Sequence, residues 1–341
     1  MRDLTSRALD TATALGATYA DVRVVRRLEE SITIKSTRVE GVSAGETEGF
    51  GVRVLVDGGW GFAASHALTT AEADRVAAEA VRIARASART VRNKVVLDDR
   101  PAAHGRYETP VVEDPFAIPL DRKIADLLAA DRAMNSVKGI AWTESIYSAQ
   151  REEKTFAASD GSYTEQLITH IGSGLEANAI DGDEHQRRSF PDNGGLWGSA
   201  GYEFVRAMHL ADNAERIASE AVELLTAPPL PSGTRTILLH PSQLYMQVHE
   251  SCGHPCELDR AFGTEASYAG TSFLMPDMLR DGFRYGSDLC DIVADATVPG
   301  GLGTFGWDDE GVAAQQVPLI KEGIFVGYLT SRETAPRIGR Q

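Results

Sequence analysis

His249, Glu250 and His254 stand close together in the stretch VHESCGHPCELDR, Val248 to Arg260. A histidine followed at once by a glutamate opens the signature of many zinc peptidases, where two imidazoles hold the metal and the carboxylate moves a proton. In that signature the second histidine comes four residues after the first, on the same helix face. Here the interval is five. A regular helix turns about 100° per residue, so five residues leave the two rings roughly 140° apart around the axis, too far to share one ion. A π-type turn, bonded i→i+5, would bring them back into line. The intervening residues favour that distortion. Gly253 is a poor helix former. Pro255 has no N–H to give to the carbonyl of Ser251, and it biases His254 away from helical geometry. The expectation is a helix that is regular to about Cys252 and irregular at His254.

If the rings converge, the neutral imidazoles of His249 and His254 suit Zn²⁺, and such a metal would polarise a carbonyl and acidify water. Glu250 is then placed to take a proton from water and hand it to a leaving amine. Glu257 and Asp259 follow closely and are expected to hold the imidazoles by hydrogen bonds. The plainer reading of His254 is a buried histidine satisfied by a carbonyl. The chain has three cysteines, Cys252, Cys256 and Cys290. They are too few for a disulfide framework, and their odd number fits a reducing compartment. Each reads first as a small buried hydrophobe.

The chain has 341 residues, long enough for two domains with a sizeable core. Its net charge of −15 repels phosphate backbones and anionic lipid surfaces, so neither nucleic acid nor a membrane is an expected partner. The start, MRDLTSRALDTATALGA, contains acidic residues and has no apolar run of the signal-peptide kind. No stretch of about 18 apolar residues follows, and a cytoplasmic location is expected.

The elements that must carry the motif are legible from periodicity. Leu4, Ala8, Ala12 and Leu15 predict a helix over Arg2 to Leu15. DVRVVRR and SITIKS alternate as strands do. FGVRVLVDGGWGFAAS reads as a hairpin around Asp57-Gly58-Gly59. Helices are expected over Thr69 to Ala88, Leu120 to Met134 and Glu203 to Leu225. ESIYSAQ, EKTFAAS and TEQLITHIGSG read as strands, and the polar stretch from Ala179 to Gly201 as irregular. This order of helix, strands, hairpin and helix occurs twice, which suggests an internal duplication. Ala227 to Gly233 is the boundary that divides residues 1–226 from 234–341. Beyond it TRTILLH reads as a strand, Pro241-Ser242 as the start of the motif helix, and DLCDIVADA, PLIKEG and IFVGYLT as strands. The fold class is α+β: an amino-terminal α/β domain with hairpins and helices, then a largely antiparallel β domain bearing the metal-site helix.

Several features have plainer readings. Gly300-Gly301-Leu302-Gly303 lacks the Lys-Ser or Lys-Thr of a phosphate loop and reads as a turn. Asp308-Asp309-Glu310 reads as a solvated acidic turn. Arg187-Arg188 reads as part of a surface loop, and His240 as structural.

The stretch HESCGHPCELDR resembles the TldD/PmbA metallopeptidases, in the TldD-type half with its His-Glu-x-x-x-His signature. EASYAGTSF, the DDEG turn, KEGIFVGYLTSRETA and the hairpin GFGVRVLVDGGWGFAAS are similar too. The resemblance implies a zinc-dependent peptidase of unfolded or flexible peptides. In it His249 and His254 would be ligands and Glu250 the general base, with the peptide held by main-chain pairing to a strand edge. It also implies a dimer, either with a relative that lacks the metal motif or with a second copy. The family's third zinc ligand is a cysteine near the carboxyl end, and no cysteine here matches it in position. The carboxyl-terminal domain is therefore expected to be incomplete, with Cys290 as the in-chain substitute. The alternative function is a non-catalytic peptide-binding or scaffold subunit with an incomplete metal site.

Overall fold

The computed structural model describes residues 1–339. Helix α1 (Arg2–Ala14) buries Leu4, Ala8 and Ala12, as their spacing requires. Strand β1 (Tyr19–Lys35) and strand β2 (Arg38–Val56) then form one long antiparallel ribbon, from Tyr19↔Leu55 to Lys35↔Arg38. DVRVVRR and SITIKS are thus one strand rather than two. The residues between them, Leu28-Glu29-Glu30, include no glycine or proline to interrupt the ladder. Strand β3 (Gly59–Ser65) closes the expected hairpin, and Asp57 and Gly58 at φ 51° and 81° make its two-residue turn. Helix α2 (Thr70–Ser87) starts at Thr69, whose hydroxyl oxygen accepts from the Glu72 N–H at 3.2 Å. It lies so close to β3 that a Cβ on Gly61 would meet the Ala80 carbonyl at 2.1 Å.

The second half repeats the plan. Strand β4 (His104–Glu108) and helix α3 (Leu120–Asn135) precede two long strands, β5 (Ile140–Ala158) and β6 (Tyr163–Asp181). ESIYSAQ and EKTFAAS again merge into one strand. The stretch expected to be irregular contains strands β7 (Glu184–Phe190) and β8 (Leu196–Gly198), both paired to β6. The single helix expected over 203–225 is two, α4 (Tyr202–Ala207) and α5 (Leu210–Leu224). His209 breaks it in a left-handed conformation at φ 50°.

All these strands join one sheet in the order β3-β2-β1-β5-β6-β4. The helices cover one face. Val22, Val24, Val52 and Val54 pack on α1 and α2, while Ile32, Ile34, Tyr147 and Ile171 pack on α3 and α4. Buried Asp131 of α3 ties down the tip of the β1–β2 ribbon, accepting from the Thr37 N–H at 2.6 Å and the Thr143 hydroxyl at 2.9 Å.

After α5, residues 227–240 are exposed and have no regular structure. TRTILLH is therefore not a strand. A lone extended segment is unstable without a neighbour, and no described strand edge pairs with it, so Leu238 stands 99% exposed. Helices α6 (Pro241–Val248), α7 (Leu258–Ala261) and α8 (Pro276–Asp281) follow, then strands β9 (Ile292–Asp295), β10 (Gln316–Lys321) and β11 (Ile324–Phe325). The expected carboxyl-terminal strands exist and are antiparallel, but β9 and β11 are much shorter than the runs DLCDIVADA and IFVGYLT that predict them. The α+β class holds. No described helix is long and apolar enough to cross a membrane.

The carboxyl-terminal part packs on the sheet face opposite the helices. Gln166 of β6 donates to the Trp307 carbonyl at 2.8 Å, and Lys154 of β5 reaches Asp309 at 2.6 Å. Arg332, 5% exposed, is the deepest tie: it contacts Asp98 at 3.0 Å, Asp160 at 3.2 Å and the Tyr19 hydroxyl at 3.3 Å. Burial works against the charge on Asp98, but hydrogen bonds from Arg100 and Arg332 outweigh it and lower its pKa.

Two outcomes are expected from this cluster. Arg332→Ala leaves buried Asp98 short of a partner and lowers unfolding free energy by about 3 kcal/mol in a urea titration. A carboxyl whose folded pKa is depressed stabilises the fold above its unfolded pKa and loses that contribution as pH falls through the folded value. The wild-type chain should therefore lose stability on the acid side more steeply than Arg332→Ala does, as measured by urea midpoints across that range.

Candidate metal centre

Helix α6 begins at His240, whose ring nitrogen accepts from the Ser242 N–H at 3.3 Å, with Pro241 at the first helical position. His240 is structural, as expected. The helix runs regularly to Val248 and then widens into a π turn, His249–Gly253, in which the His254 N–H bonds the His249 carbonyl. This is the i→i+5 bond that the five-residue interval called for. A short 3-10 turn, His254–Cys256, and α7 complete the segment.

The distortion brings the two imidazoles together. Their ring centroids are 4.3 Å apart at 74°. One donor atom from each of His249, Glu250 and His254 lies within 4.8 Å of the others. The His254 Nε2 is 3.9 Å from a Glu250 oxygen. His249 and Glu250 are exposed, and His254 is partly buried.

The other nitrogen of His254 is anchored. Its Nδ1 is 2.8 Å from Glu257 Oε1, and Arg260 Nε donates to the second Glu257 oxygen at 2.7 Å. A guanidinium nitrogen of Arg260 also sits 3.2 Å from that Nδ1, but the carboxylate contact is shorter and charge-assisted, so the proton belongs on Nδ1. Nε2 is left with its lone pair on the side of Glu250. A carboxylate behind an imidazole in this way fixes the tautomer that metal ligation needs. Burial opposes the charge on Glu257, but hydrogen bonds from His254 and Arg260 overcome it and hold its pKa below the usual carboxylate range.

Of the two expected supporting carboxylates, only Glu257 reaches an imidazole. Asp259 instead accepts from the Arg260 N–H at 3.0 Å, at the start of α7. Arg260 has no expected role in the sequence reading, although its i,i+3 spacing from Glu257 is a pairing signal. It bonds Glu257 and the Ala269 carbonyl at 2.7 Å, and approaches Glu265 at 3.5 Å. Tyr285 was missed as well. Its hydroxyl donates to the Ser251 carbonyl at 2.9 Å, the carbonyl that Pro255 cannot serve, from a position 34 residues away.

The cysteines play the structural part expected of them. Cys252 and Cys256 are fully buried with their sulfurs 3.8 Å apart, beside Leu258, Leu319 and Phe325. The shared hydrogen bond and burial push the Cys256 thiol far above its ordinary range. Cys290 packs partly buried against the same apolar cluster and lies outside the His-Glu-His group. Among the described residues the group offers two imidazoles and one carboxylate, a donor set that suits Zn²⁺.

Three models of one family match the chain: PmbA/TldA metallopeptidase domain 1 over 20–84, the central domain over 113–227, and the C-terminal domain over 232–341. "Metalloprotease MJ0996" of Methanocaldococcus jannaschii is 29% identical over 320 residues, which are 94% of this chain and 67% of the relative. "Zinc metalloprotease TldD homolog" of Saccharolobus solfataricus is 23% identical, over 96% of this chain and 68% of the relative. The chain thus spans about two thirds of the length of the curated relatives it matches. A solved structure of a candidate modulator of DNA gyrase from Bacteroides thetaiotaomicron superposes with a TM-score of 0.79 at 16% identity, covering 100% of this chain and 74% of that one, and so shares the fold.

Removing the carboxylate behind His254 is expected to loosen the ligand without unfolding the helix. Glu257→Ala should weaken Zn²⁺ binding by about 10- to 100-fold in a chelator competition titration, with the circular dichroism spectrum unchanged.

Proposed function

This chain belongs to the PmbA/TldD family of metallopeptidases, and on that footing we propose that it is a zinc-dependent peptidase acting on unfolded or flexible peptides. The observation that carries the reading is the π turn. It gathers His249, Glu250 and His254 within 4.8 Å, on the exposed side of a segment whose other side is buried. His249 and His254 would hold the metal, His254 through Nε2. Zn²⁺, when bound, supplies the Lewis acidity that polarises a peptide carbonyl and makes water a nucleophile near neutral pH.

The chain's own residues do the remaining work. Glu250 adjoins the first imidazole in sequence and keeps its carboxylate 3.9 Å from the second. It acts as general base on the attacking water and returns the proton to the departing amine. Glu257 and Arg260 hold the His254 ring so that its free nitrogen keeps one direction. The exposure of His249 and Glu250 leaves room for an extended substrate backbone. A folded domain, with its backbone paired internally, would present no such segment.

The donor count favours a second reading. A catalytic zinc as a rule has three protein ligands besides water, and with Glu250 kept as the base the described group leaves two imidazoles. A subunit that holds peptides without cutting them would fit that set, paired in a dimer with another family member or a second copy.

Elemental analysis after exhaustive dialysis, followed by a fluorogenic peptide assay, separates the readings. The peptidase reading expects near-stoichiometric zinc, lost in His254→Ala. It also expects Glu250→Gln to keep its zinc and lose roughly a thousandfold in kcat. Zinc retention with equal cleavage by wild type and Glu250→Gln would remove Glu250 from the chemistry. A chain that retains no zinc and cleaves nothing would favour the holding subunit.

A further inference from the structure

A cavity of about 250 Å³ opens on the helical face of the sheet, between α3, α4 and the start of α5. The carboxyl-terminal part packs on the other face, and the cavity shares no residue with the His249–His254 group. Leu127, Tyr202, Val205 and Leu210 give it apolar walls, and the rings of Tyr202 and Tyr147 stand 6.0 Å apart at 57°. Two polar side chains that are almost wholly buried form its floor: Lys123, 1% exposed, and Tyr147, 2% exposed. An apolar cavity of about 150 Å³ holds benzene. This one has room for a substituted ring.

The Tyr147 hydroxyl is buried and has no hydrogen-bond partner among the described residues. Such a group destabilises the fold unless something supplies an acceptor. Burial first, and then the Glu30 carboxylate, raise its pKa, so the oxygen keeps its proton and is a donor. Lys123 gives an N–H to Glu30 and lies 5.1 Å from the centre of the Tyr147 ring. An ammonium has three N–H groups, so a further donor remains beside that ring. What the floor lacks is an acceptor, not a charge. Lys123 is matched by Glu30, Arg206 at the mouth by Glu113, and Asp126 by Arg122 at 3.1 Å. Asp212, 3.4 Å from His209, is exposed to water. A carboxylate or an ammonium would therefore enter without a free counter-charge and lose its hydration uncompensated. Water between these apolar walls forfeits hydrogen bonds, so its displacement favours an apolar body.

We propose that this cavity binds an uncharged aromatic molecule of single-ring size that carries a carbonyl group, a ketone or an amide. The ring packs against Tyr202, Leu127 and Val205, and the carbonyl oxygen accepts from the Tyr147 hydroxyl, with Lys123 as a second donor. The site lies across the sheet from the carboxyl-terminal part, and its occupancy needs no metal.

Fluorine NMR on the whole chain tests it, with a chelator present so that metal plays no part. The probe is para-fluoroacetophenone. Its counterpart para-fluoroethylbenzene has nearly the same shape and no acceptor. The ketone resonance should broaden on binding, and the ethyl compound should bind at least about tenfold more weakly. Tyr147→Phe removes a hydroxyl that has no partner, so its urea midpoint should not fall. That variant should weaken the ketone at least about tenfold and leave the ethyl compound unchanged. Ala129→Trp, at the exposed part of the wall, should abolish binding of both. Equal ketone affinity in wild type and Tyr147→Phe would overturn the proposal. So would para-fluorobenzoate binding as tightly as the ketone, which would make the occupant an acid. An unbroadened ketone resonance at millimolar probe would leave the cavity to water alone and overturn it as well.

Discussion

Pro255 has no N–H, and the geometry of the metal centre follows from that absence. In a continuous α-helix the residue at 255 would bond the Ser251 carbonyl. Here that carbonyl takes the Tyr285 hydroxyl at 2.9 Å instead. The bond lies in an exposed position, where it ties Tyr285 to the irregular segment. Freed from α-helical bonding, the chain closes one wider turn, with the His254 N–H on the His249 carbonyl. Two rings that a regular helix would hold roughly 140° apart then lie with centroids 4.3 Å apart. The spacing of the histidines, the proline and the distant tyrosine form one device.

That device is held from behind. Cys252 and Cys256 point into the apolar cluster around Leu258, Leu319, Ile320 and Phe325, while His249 and Glu250 face solvent. Further anchorage comes from the backbone. The Leu329 N–H bonds the Cys256 carbonyl at 2.8 Å, and the Leu258 N–H bonds the Leu329 carbonyl at 3.0 Å. By contrast α6 has no buried residue, and Leu244, Tyr245 and Met246 are exposed. The ligand ring of His254 is thus fixed by its own turn, by Glu257 and Arg260, and by the cluster beneath, with little contribution from the helix that precedes it.

Much of this was legible in residue order. The π turn could be argued from Gly253 and Pro255 alone, because both act on the local backbone. The hairpin at Asp57-Gly58 and the helix starts at Thr69 and Pro241 are equally local. What stayed hidden depends on contacts distant in sequence. Nothing near Tyr285 announces that its hydroxyl serves Ser251. TRTILLH has a strand's composition, yet pairing, not composition, makes a strand, and no described edge meets it. The long strands were cut in two because charged runs such as Leu28-Glu29-Glu30 and Arg151-Glu152-Glu153 looked like loops. In the sheet those side chains answer one another across strands, as Arg27 does Glu152 at 2.7 Å. The assignment of Asp259 failed for a local reason: it sits at the start of α7 and caps the next residue's N–H.

The sheet also explains why one edge is open and its counterpart closed. The order of elements repeats, and β1 and β5 meet antiparallel at the centre, from Asp21↔Ala158 to Lys35↔Glu144. Seen from that seam, β2 and β6 occupy equivalent places as the next strands outward. β6 is covered along most of its outer side: β4 pairs with Tyr163–Leu167, β8 with Ile171–Ser173 and β7 with Leu175–Asp181. β2 receives only β3, which turns away into α2 after Ser65. The two halves have equal need to satisfy an outer row of peptide groups, and one of them does so with three strands of its own. The bare row on the other is therefore a difference between halves built to one plan.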